Sequence, residues 1–208
     1  MEREVLRFAH VTYEQRGGVY LRDFEMSILR GEIMGLLPLN AYGLPSFLSL
    51  LKYNHPLYFG RVYYMGKLVN SWQDMKRVPN KVSVIGSESS LVAGQSVLTN
   101  VFVLRAGFGQ YLIRKTMLES QLKPFLEDID AGIRPDMRVE ALSAFERVTV
   151  EILRAVVAGH RLIVLKEVGA FIGEDEKSRL YRIIRHYRDH GFSFLFISGK
   201  LDEIKTIC

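Results

Sequence analysis

Alternating and continuous apolar runs divide the first half of the chain into strands and one helix. Polar and apolar residues alternate over 23–29, as in a half-buried strand, and residues 5–13 are rich in strand formers. Residues 33–37 are continuously apolar. Pro45 can begin a helix, because its missing N–H would have no partner at that position. The pattern predicts strand, loop and helix in succession over 33–51, with further strands at 60–65 and 82–86.

Helical periodicity replaces alternation in the second half. Residues 96–129 carry apolar positions at helical spacing, and we expect Met117, Leu118 and Leu122 to lie in the core. A helix is predicted over 143–157, and the wholly apolar run 162–165 is typical of a buried parallel strand. A helix at 174–190, a strand at 192–197 and a short helix at 201–206 follow. Strands that alternate with helices predict an α/β fold with a mainly parallel sheet.

Composition excludes several classes of protein. With 48% hydrophobic and 25% charged residues among 208, the chain is expected to be one globular domain. The net charge of +5 is compatible with an acidic partner, but no basic stripe on a recognised module predicts nucleic-acid binding. Cys208 is the only cysteine, which favours a reducing cytoplasm. No signal pattern or apolar run of about 20 residues is present, so we expect membrane association only through a partner.

The loop before the first helix has the position of a phosphate-binding loop without its chemistry. The motif G-x-x-x-x-G-K-[ST] uses backbone amides and a lysine to hold phosphates and a hydroxyl to hold magnesium. Over residues 35–46, Pro38 stands for the first glycine, Gly43 for the second, Leu44 for the lysine and Pro45 for the hydroxyl residue. An aliphatic side chain supplies no charge, and proline supplies neither an N–H nor a hydroxyl.

Several further strings, in order, resemble the ATPase subunit of ATP-binding cassette (ABC) transporters. Residues 31–37 match the strand that enters the loop, 60–69 match a "GeI…dGkpv" hairpin, and 90–102 match "nLvp.lSVaENiF". Residues 142–147 resemble the signature "LSvaEqq", 161–170 align with the strand that normally ends in Asp-Glu-Pro-Thr-Ala, and 194–204 resemble "iiyISHrLdEi". The resemblance covers nearly all of the chain and is strongest to the sugar-importer (ribose/galactose-type) branch.

The resemblance implies a P-loop NTPase-like core with an N-terminal antiparallel β subdomain and a helical subdomain, shortened at the C-terminus. The core would comprise 1–86, which includes the β subdomain, and 158–208. Residues 87–157 would form the helical subdomain and the signature helix. Because the family continues past the last matched segment, an exposed sheet edge and a partner or homodimer to cover it are expected.

Most departures from the family fall on positions that handle ATP. The resemblance places Ser87 at the magnesium-sensing glutamine, Lys166 at the magnesium-linked aspartate and Gly199 at the switch histidine. Glu167 stands at the general base, which we expect to be vestigial. The degenerate nucleotide site therefore comprises Tyr13, at the position of the adenine-stacking aromatic, with Asn40, Gly43, Leu44, Pro45, Ser87, Lys166, Glu167 and Gly199.

Other interpretations of single residues stay open. Tyr13 fits a core aromatic as well as an adenine platform, and Lys166 fits either an anion ligand or a solvent-exposed cation. Glu167 fits a salt-bridge partner of Lys166.

The signature segment also has two interpretations. It comprises Leu142, Ser143, Ala144, Phe145 and Glu146. In the family the signature of one subunit closes over ATP bound to the other, so this segment fits a role in trans. Ser143 followed three residues later by Glu146 is equally a capping box, which is sufficient reason for both residues.

Three hypotheses of function follow. The first is an inactive cassette, a pseudo-ATPase without metal or required cofactor, that docks on or regulates a transporter or signalling partner at the inner face of the membrane. The second is the non-catalytic half of a heterodimeric ATPase in sugar import, which supplies Ser143 and Glu146 to an active partner. The third is a magnesium-independent anion or nucleotide sensor built on Lys166 and Tyr13, and weak ATP binding is left open in all three.

Overall fold

The computed structural model describes residues 4–15, 18–39, 42–53, 55, 57, 59–70, 81–103, 114–129 and 131–208. Its N-terminal part is an antiparallel sheet in the order β2-β1-β4-β5. The strands are β1 (Glu4–Gln15), β2 (Gly18–Leu29), β4 (Phe59–Tyr64) and β5 (Lys67–Leu68). This confirms the predicted N-terminal strands.

A second sheet is wholly parallel and has the order β3-β8-β7-β6. Its strands are β3 (Ile33–Leu36), β6 (Val82–Ile85), β7 (Leu162–Lys166) and β8 (Ser193–Ile197). Residues 162–165 and 193–197 are buried throughout, because helices cover both faces of a parallel sheet. The expected α/β class with a mainly parallel core sheet is confirmed.

Six α-helices occur in the described part of the chain: α1 (Leu44–Lys52), α2 (Val97–Phe102), α3 (Lys115–Ile129), α4 (Ala144–Val157), α5 (Glu174–Asp189) and α6 (Leu201–Ile207). Leu118 and Leu122 are buried as expected, but Met117 is 55% exposed and its assignment to the core was wrong. In α3, Leu118 and Leu122 are four residues apart and share one face, and Met117 lies outside that stripe.

Two hydrophobic clusters lie on opposite faces of the parallel sheet. Ile163 and Leu165 of β7 join the cluster that α4 and α5 cover, and Leu162 and Val164 join the cluster that contains α1. This division follows from the alternation of side chains along a strand. The sheet is therefore fixed from both sides, and the loops at its ends are held in position.

Helix α6 packs directly on β3 because β3 has a glycine at the contact. A Cβ atom on Gly35 would lie 2.3 Å from Cγ2 of Ile204 and 3.1 Å from Sγ of Cys208. Only a residue without a side chain allows the helix to approach this closely. The thiol of Cys208 is partly buried at this contact, which raises its pKa to about 11.

A mostly buried carboxylate ties α6 to the loop after β8 and to α5. Glu203 accepts hydrogen bonds from Ser198 Oγ at 2.8 Å and from Lys177 Nζ at 3.0 Å. Lys177 also donates to the exposed Glu174 at 2.7 Å, and these two bonds raise the pKa of Lys177 to about 12. Burial alone would raise the pKa of Glu203, but the bonds from Lys177 and Ser198 lower it below its usual value. The carboxylate is thus held in its charged form.

The close contact at Gly35 makes a stability prediction. Gly35→Ala should lower the free energy of unfolding by about 1–3 kcal/mol, because the new methyl group displaces Ile204 from a packed position. Urea unfolding followed by circular dichroism measures the loss. Gly199→Ala is the matched control, since its Cβ would meet only Glu167 Oε1 at 3.7 Å, an ordinary contact. Equal effects of the two substitutions would contradict the close packing of α6 on β3.

The two carboxylates that pair with Lys177 differ in burial, and a second prediction follows from this difference. Glu203→Ala should cost about 3–5 kcal/mol, because it removes the buried one of the two carboxylates that pair with a buried ammonium. Glu174→Ala removes a partner of the same ammonium that is 86% exposed, and should cost under about 1 kcal/mol. Because the pKa of Glu203 is lowered on folding, the difference between the two variants should persist above the unfolded-state pKa and shrink as pH falls through the folded value. Guanidinium unfolding at several pH values checks both points.

Candidate functional site

Parallel strands bring the predicted nucleotide-site residues to one edge of the core sheet. Lys166 ends β7, Gly199 follows β8 by two residues, Ser87 follows β6 by two, and Gly43 precedes α1 after β3. The register pairs Ile197 with both neighbours, Leu36 of β3 and Lys166 of β7. In open parallel sheets this carboxyl edge is where ligands bind. The fold therefore gathers these sequence-predicted positions at one edge.

Glu167 is held in an unusual backbone conformation at this edge. Its φ of 53° lies in the left-handed region, which residues other than glycine rarely adopt. The Glu167 N–H donates to the carbonyl of Ile197 at 2.8 Å, and its Oε1 accepts from the N–H of Gly199 at 2.9 Å. The carboxylate thus links the end of β7 to the loop after β8. No salt bridge with Lys166 is formed among the described residues, although the sequence left that pairing open.

Lys166 and Ser87 both lie at the surface of the edge. Lys166 is exposed, whereas the four residues before it in β7 are buried. A Cβ on the neighbouring Gly86 would lie 3.4 Å from the Lys166 carbonyl oxygen, so the ends of β6 and β7 lie close together. The ammonium group therefore projects from a rigid strand end toward solvent.

The loop that precedes α1 lies against the antiparallel sheet. Gly43 has a φ of 89°, and a Cβ there would lie 2.6 Å from the carbonyl oxygen of Tyr20 in β2. Tyr42 stacks on the Tyr20 ring with a centroid distance of 5.7 Å and an interplanar angle of 18°. Gly43 is thus required by both its conformation and its close approach to β2. Asn40 lies outside the described residues.

The N-terminus of α1 offers fewer donors than a helix normally does. The first four N–H groups of a helix have no partner within it and form its anion-binding end. Here Pro45 lies in the first turn and has no N–H, and the Leu44 side chain packs against the hydrophobic cluster that contains α1. The N-terminus of α1 carries no acidic or basic side chain in its first turn.

Tyr13 belongs to the other sheet and is part of the core. Its side chain is 8% exposed, and its ring centroid lies 6.1 Å from that of His55. A ring with so little exposed area has no free face for a base in this conformation. The alternative of a core aromatic agrees with its burial.

The signature segment forms the start of α4. The Ser143 side chain accepts from the N–H of Glu146 at 3.2 Å, and Glu146 accepts from the N–H of Ser143 at 2.7 Å. The predicted capping box is therefore confirmed. Ser143 is exposed, whereas Phe145 is 1% exposed and lies under the Arg179 guanidinium at 4.7 Å from the ring centroid. Leu142 is buried, and Ala144 is half-buried.

Sequence reasoning missed the residues that support this edge from behind. Ser198 precedes Gly199 and donates to Glu203, while the Ser198 Oγ also accepts from the N–H of Lys200 at 3.1 Å. A Cβ on Gly169 would lie 2.6 Å from both Glu203 carboxylate oxygens. The string 194–204 contains both Ser198 and Glu203, but the pattern gives no sign that they contact each other.

Two features are absent from the described residues, a metal-binding cluster and a membrane-spanning helix. No group of three or more His, Cys, Asp or Glu side chains there is arranged to hold a metal ion. Within the same part of the chain, none of the helices has the length and apolarity needed to cross a bilayer.

Known proteins resemble the chain in sequence and in fold. The xylose import ATP-binding protein XylG of Histophilus somni is 28% identical over 207 residues, which is 98% of this chain and 41% of that protein. The ribose import ATP-binding protein RbsA of Hahella chejuensis shows the same identity and coverage. The chain thus spans about two fifths of the length of these relatives.

Solved structures share the fold at lower identity. CbiO1 of Clostridium perfringens, part of the ABC transporter complex cbiONQ, superposes with a TM-score of 0.84 at 17% identity, covering 100% of this chain and 83% of that one. A nucleotide-free ATP-binding cassette from an ABC transporter superposes with a TM-score of 0.77 at 18% identity, covering 98% and 85%. Residues 21–169 match the model of the family described as ABC transporter. Most of the chain lies inside that match, and its fold is that of the solved ATP-binding cassettes. The chain therefore belongs to the ABC transporter family.

Proposed function

We propose that this chain is an ABC ATPase-like domain that does not hydrolyse ATP and acts through contact with a partner in a sugar-import or derived signalling system. The relatives named for xylose, ribose and galactose import suggest the system. The observation that carries the proposal is the chemistry of the carboxyl edge. Leu44, Pro45, Ser87, Lys166 and Gly199 stand where the family resemblance places polar groups for magnesium and phosphate.

The side chains at this edge do not fit magnesium ATP. Leu44 has no charge to offer the outer phosphates, and Pro45 has no hydroxyl for the metal. Lys166 places a cation where the resemblance puts a magnesium-linked aspartate, so it repels a divalent metal there. Phosphoryl transfer depends on such groups to neutralise charge in the transition state. Glu167 without them has no polarised phosphate on which to direct water.

Glu167 has a structural role that accounts for its presence. Its carboxylate accepts the Gly199 N–H and its own N–H is bonded to Ile197. The vestigial role that we assign to Glu167 is therefore to tie two strand ends together.

The energetic consequence for nucleotide binding is large. Each lost hydrogen bond to a charged group is worth about 1.5–3 kcal/mol. Loss of two or three such bonds weakens binding by roughly two to six orders of magnitude, since about 1.4 kcal/mol corresponds to a factor of ten. We therefore propose that no nucleotide cofactor is required and that any ATP binding is weak.

A contact role accounts for what the chain keeps. Both hydrophobic clusters and the parallel sheet are intact, so a rigid scaffold remains for a partner to recognise. We propose a cytoplasmic location at the inner membrane face, reached through a permease, an active cassette or a signalling protein, with a homodimer as another assembly.

The proposal predicts that the purified chain neither binds nor hydrolyses magnesium ATP. Isothermal titration should show no binding at submillimolar ATP, and a phosphate-release assay should show no turnover above background. The Histophilus somni XylG relative, purified and assayed in parallel, controls for assay conditions. Any residual phosphate release should be the same in Glu167→Gln, which removes the base and identifies contamination. Saturable binding, or turnover that Glu167→Gln abolishes, would overturn the proposal.

The exposure of Ser143 favours one second candidate, in which the chain serves the ATP site of an active partner. The hydroxyl accepts the Glu146 N–H, and its proton remains available to donate to a phosphate. The Phe145 side chain does not block access to Ser143 at this end of α4, because its ring faces the core.

Two substitutions at Ser143 separate capping from a role in trans. Ser143→Ala should lower the stability of the isolated chain by about 1 kcal/mol, because the cap of α4 is lost. Ser143→Asp keeps a good capping residue and should leave stability nearly unchanged, but its negative charge would face a phosphate. In a reconstituted complex with an active cassette, unchanged ATP hydrolysis by Ser143→Asp would eliminate the second candidate. A loss of hydrolysis with stability retained would establish it.

A further inference from the structure

A cavity of about 480 Å³ runs along β6, and its lining includes none of the positions that the family resemblance assigns to the nucleotide. Every residue of β6 lines it, together with Lys52 and Tyr53 at the end of α1 and residues of α4. Helices α1 and α4 cover opposite faces of the sheet, so the cavity follows the outer side of its last strand. This volume is within the range of small-ligand sites.

Positive charge dominates the lining of the cavity. Lys52, Lys81 and Arg154 line it, and Glu151 is the single carboxylate among its described lining residues. No described carboxylate forms an ion pair with Lys52 or Lys81. A concave surface with low-dielectric walls and charges of one sign attracts ions of the opposite sign.

Glu151 is occupied by an internal network and forms no ion pair with Lys52 or Lys81. Its Oε1 accepts from the N–H of Ser90 at 2.6 Å and from the Ser90 hydroxyl at 2.7 Å. The Arg154 guanidinium lies 3.4 Å from the same oxygen and donates to the Ser90 carbonyl at 2.9 Å. Glu151 and Arg154 are 2% and 7% exposed, so this pair forms a fixed, buried wall of the cavity.

His160 places a titratable group on the same wall. Its Nδ1 lies 2.8 Å from the Ser83 hydroxyl, and the ring lines the cavity. Burial lowers the pKa of His160, and the charges of Lys81 and Arg154 lower it further. The ionisable groups that share its cavity are Lys52, Tyr53, Lys81, Glu151 and Arg154.

We propose that this cavity binds a small oxyanion through its phosphate group, either as inorganic phosphate or as a phosphorylated small metabolite. Lys81 and Lys52 supply mobile charge-assisted donors, and the wall of Arg154 and Ser90 is already rigid. A bound dianion would offset the charges that now oppose protonation of His160. The site does not depend on the loss of ATP hydrolysis, because none of its residues belongs to the carboxyl-edge positions.

Phosphate binding and the pKa of His160 are therefore coupled. A phosphate that binds the protonated ring more tightly than the neutral ring raises the His160 pKa by the same coupling free energy. The coupling gives the site a readout that requires no enzymatic activity.

Histidine resonances followed by NMR over pH 5–8 test the site on the full chain. His160→Gln identifies the signal of His160 among the five histidines. With phosphate added at constant ionic strength, the His160 pKa should rise by about one unit and the shift should saturate. The exposed His10, which bonds Asp23 at 2.8 Å outside the cavity, should show no such change.

Lysine variants test whether phosphate bound in this cavity causes the rise in the His160 pKa. Lys81→Ala should weaken phosphate binding about tenfold, because it removes one charge-assisted donor. Lys67→Ala removes an exposed lysine of β5 that does not line the cavity, and should leave binding unchanged. Both positions are exposed, so both variants should fold, and circular dichroism verifies this.

Parallel titrations with inorganic phosphate and glycerol 3-phosphate identify the source of the anion. Saturation by both supports recognition of the phosphate group itself, and saturation by glycerol 3-phosphate alone supports a phosphorylated metabolite. A shift that sodium chloride reproduces, that never saturates, or that persists unchanged in Lys81→Ala would overturn the site.

Discussion

The parallel alignment of four strands is the constraint on which the arrangement of this molecule depends. Because β3, β8, β7 and β6 run in one direction, residues far apart in sequence end at the same edge. Glu167 reaches Gly199 across 32 positions of the chain, and Ser198 N–H reaches the Leu36 carbonyl at 3.2 Å. Any change in strand order would separate these groups. The sheet therefore determines the geometry of the edge more than the loops do.

The support behind that edge comes from α6. Gly35 lets the helix approach β3, and Glu203 then reaches Ser198 and Lys177. A carboxylate in this position costs free energy to bury, and its bonds to an ammonium and a hydroxyl offset that cost only while all three groups are present. The loop after β8 is thus fixed by a polar network rather than by packing alone. This network holds Gly199 in place to bond Glu167, and that bond helps to offset the cost of about 1–3 kcal/mol of the left-handed backbone at Glu167.

Local patterns predicted the elements of the fold well, since the determining contacts are short in sequence. The apolar run 162–165 could form only a buried strand next to its helices, and the capping box at Ser143 and Glu146 lies within one turn. Met117 was placed in the core wrongly. It is next to Leu118 in the sequence, but it lies outside the helix face that Leu118 and Leu122 share. The family resemblance supplied the division into an antiparallel β subdomain and a mainly parallel core sheet, which periodicity alone does not fix.

Contacts between distant residues could not be predicted in this way. His160 and Ser83 are separated by 77 positions, and Glu151 and Ser90 by 61, yet each pair lies within hydrogen-bonding distance. In the sequence Glu151 and Arg154 look like an ordinary i, i+3 pair on the exposed side of a helix. Their burial arises only when the segment around Ser90 folds over α4 and supplies backbone and hydroxyl partners.

The two sites differ in how their charges are balanced. At the carboxyl edge, hydrocarbon, glycine and one exposed lysine stand where the family resemblance places groups for magnesium and phosphate, and one oxygen of the Glu167 carboxylate accepts a backbone amide. Along β6 the reverse holds, because the carboxylate of Glu151 belongs to a buried network and none of the described carboxylates forms an ion pair with Lys52 or Lys81. Electrostatic recognition of an anion needs uncompensated charge on a rigid wall, and the fold supplies that combination along β6. Under the two proposals, the scaffold has lost its nucleotide chemistry at the carboxyl edge and recognises an anion along β6.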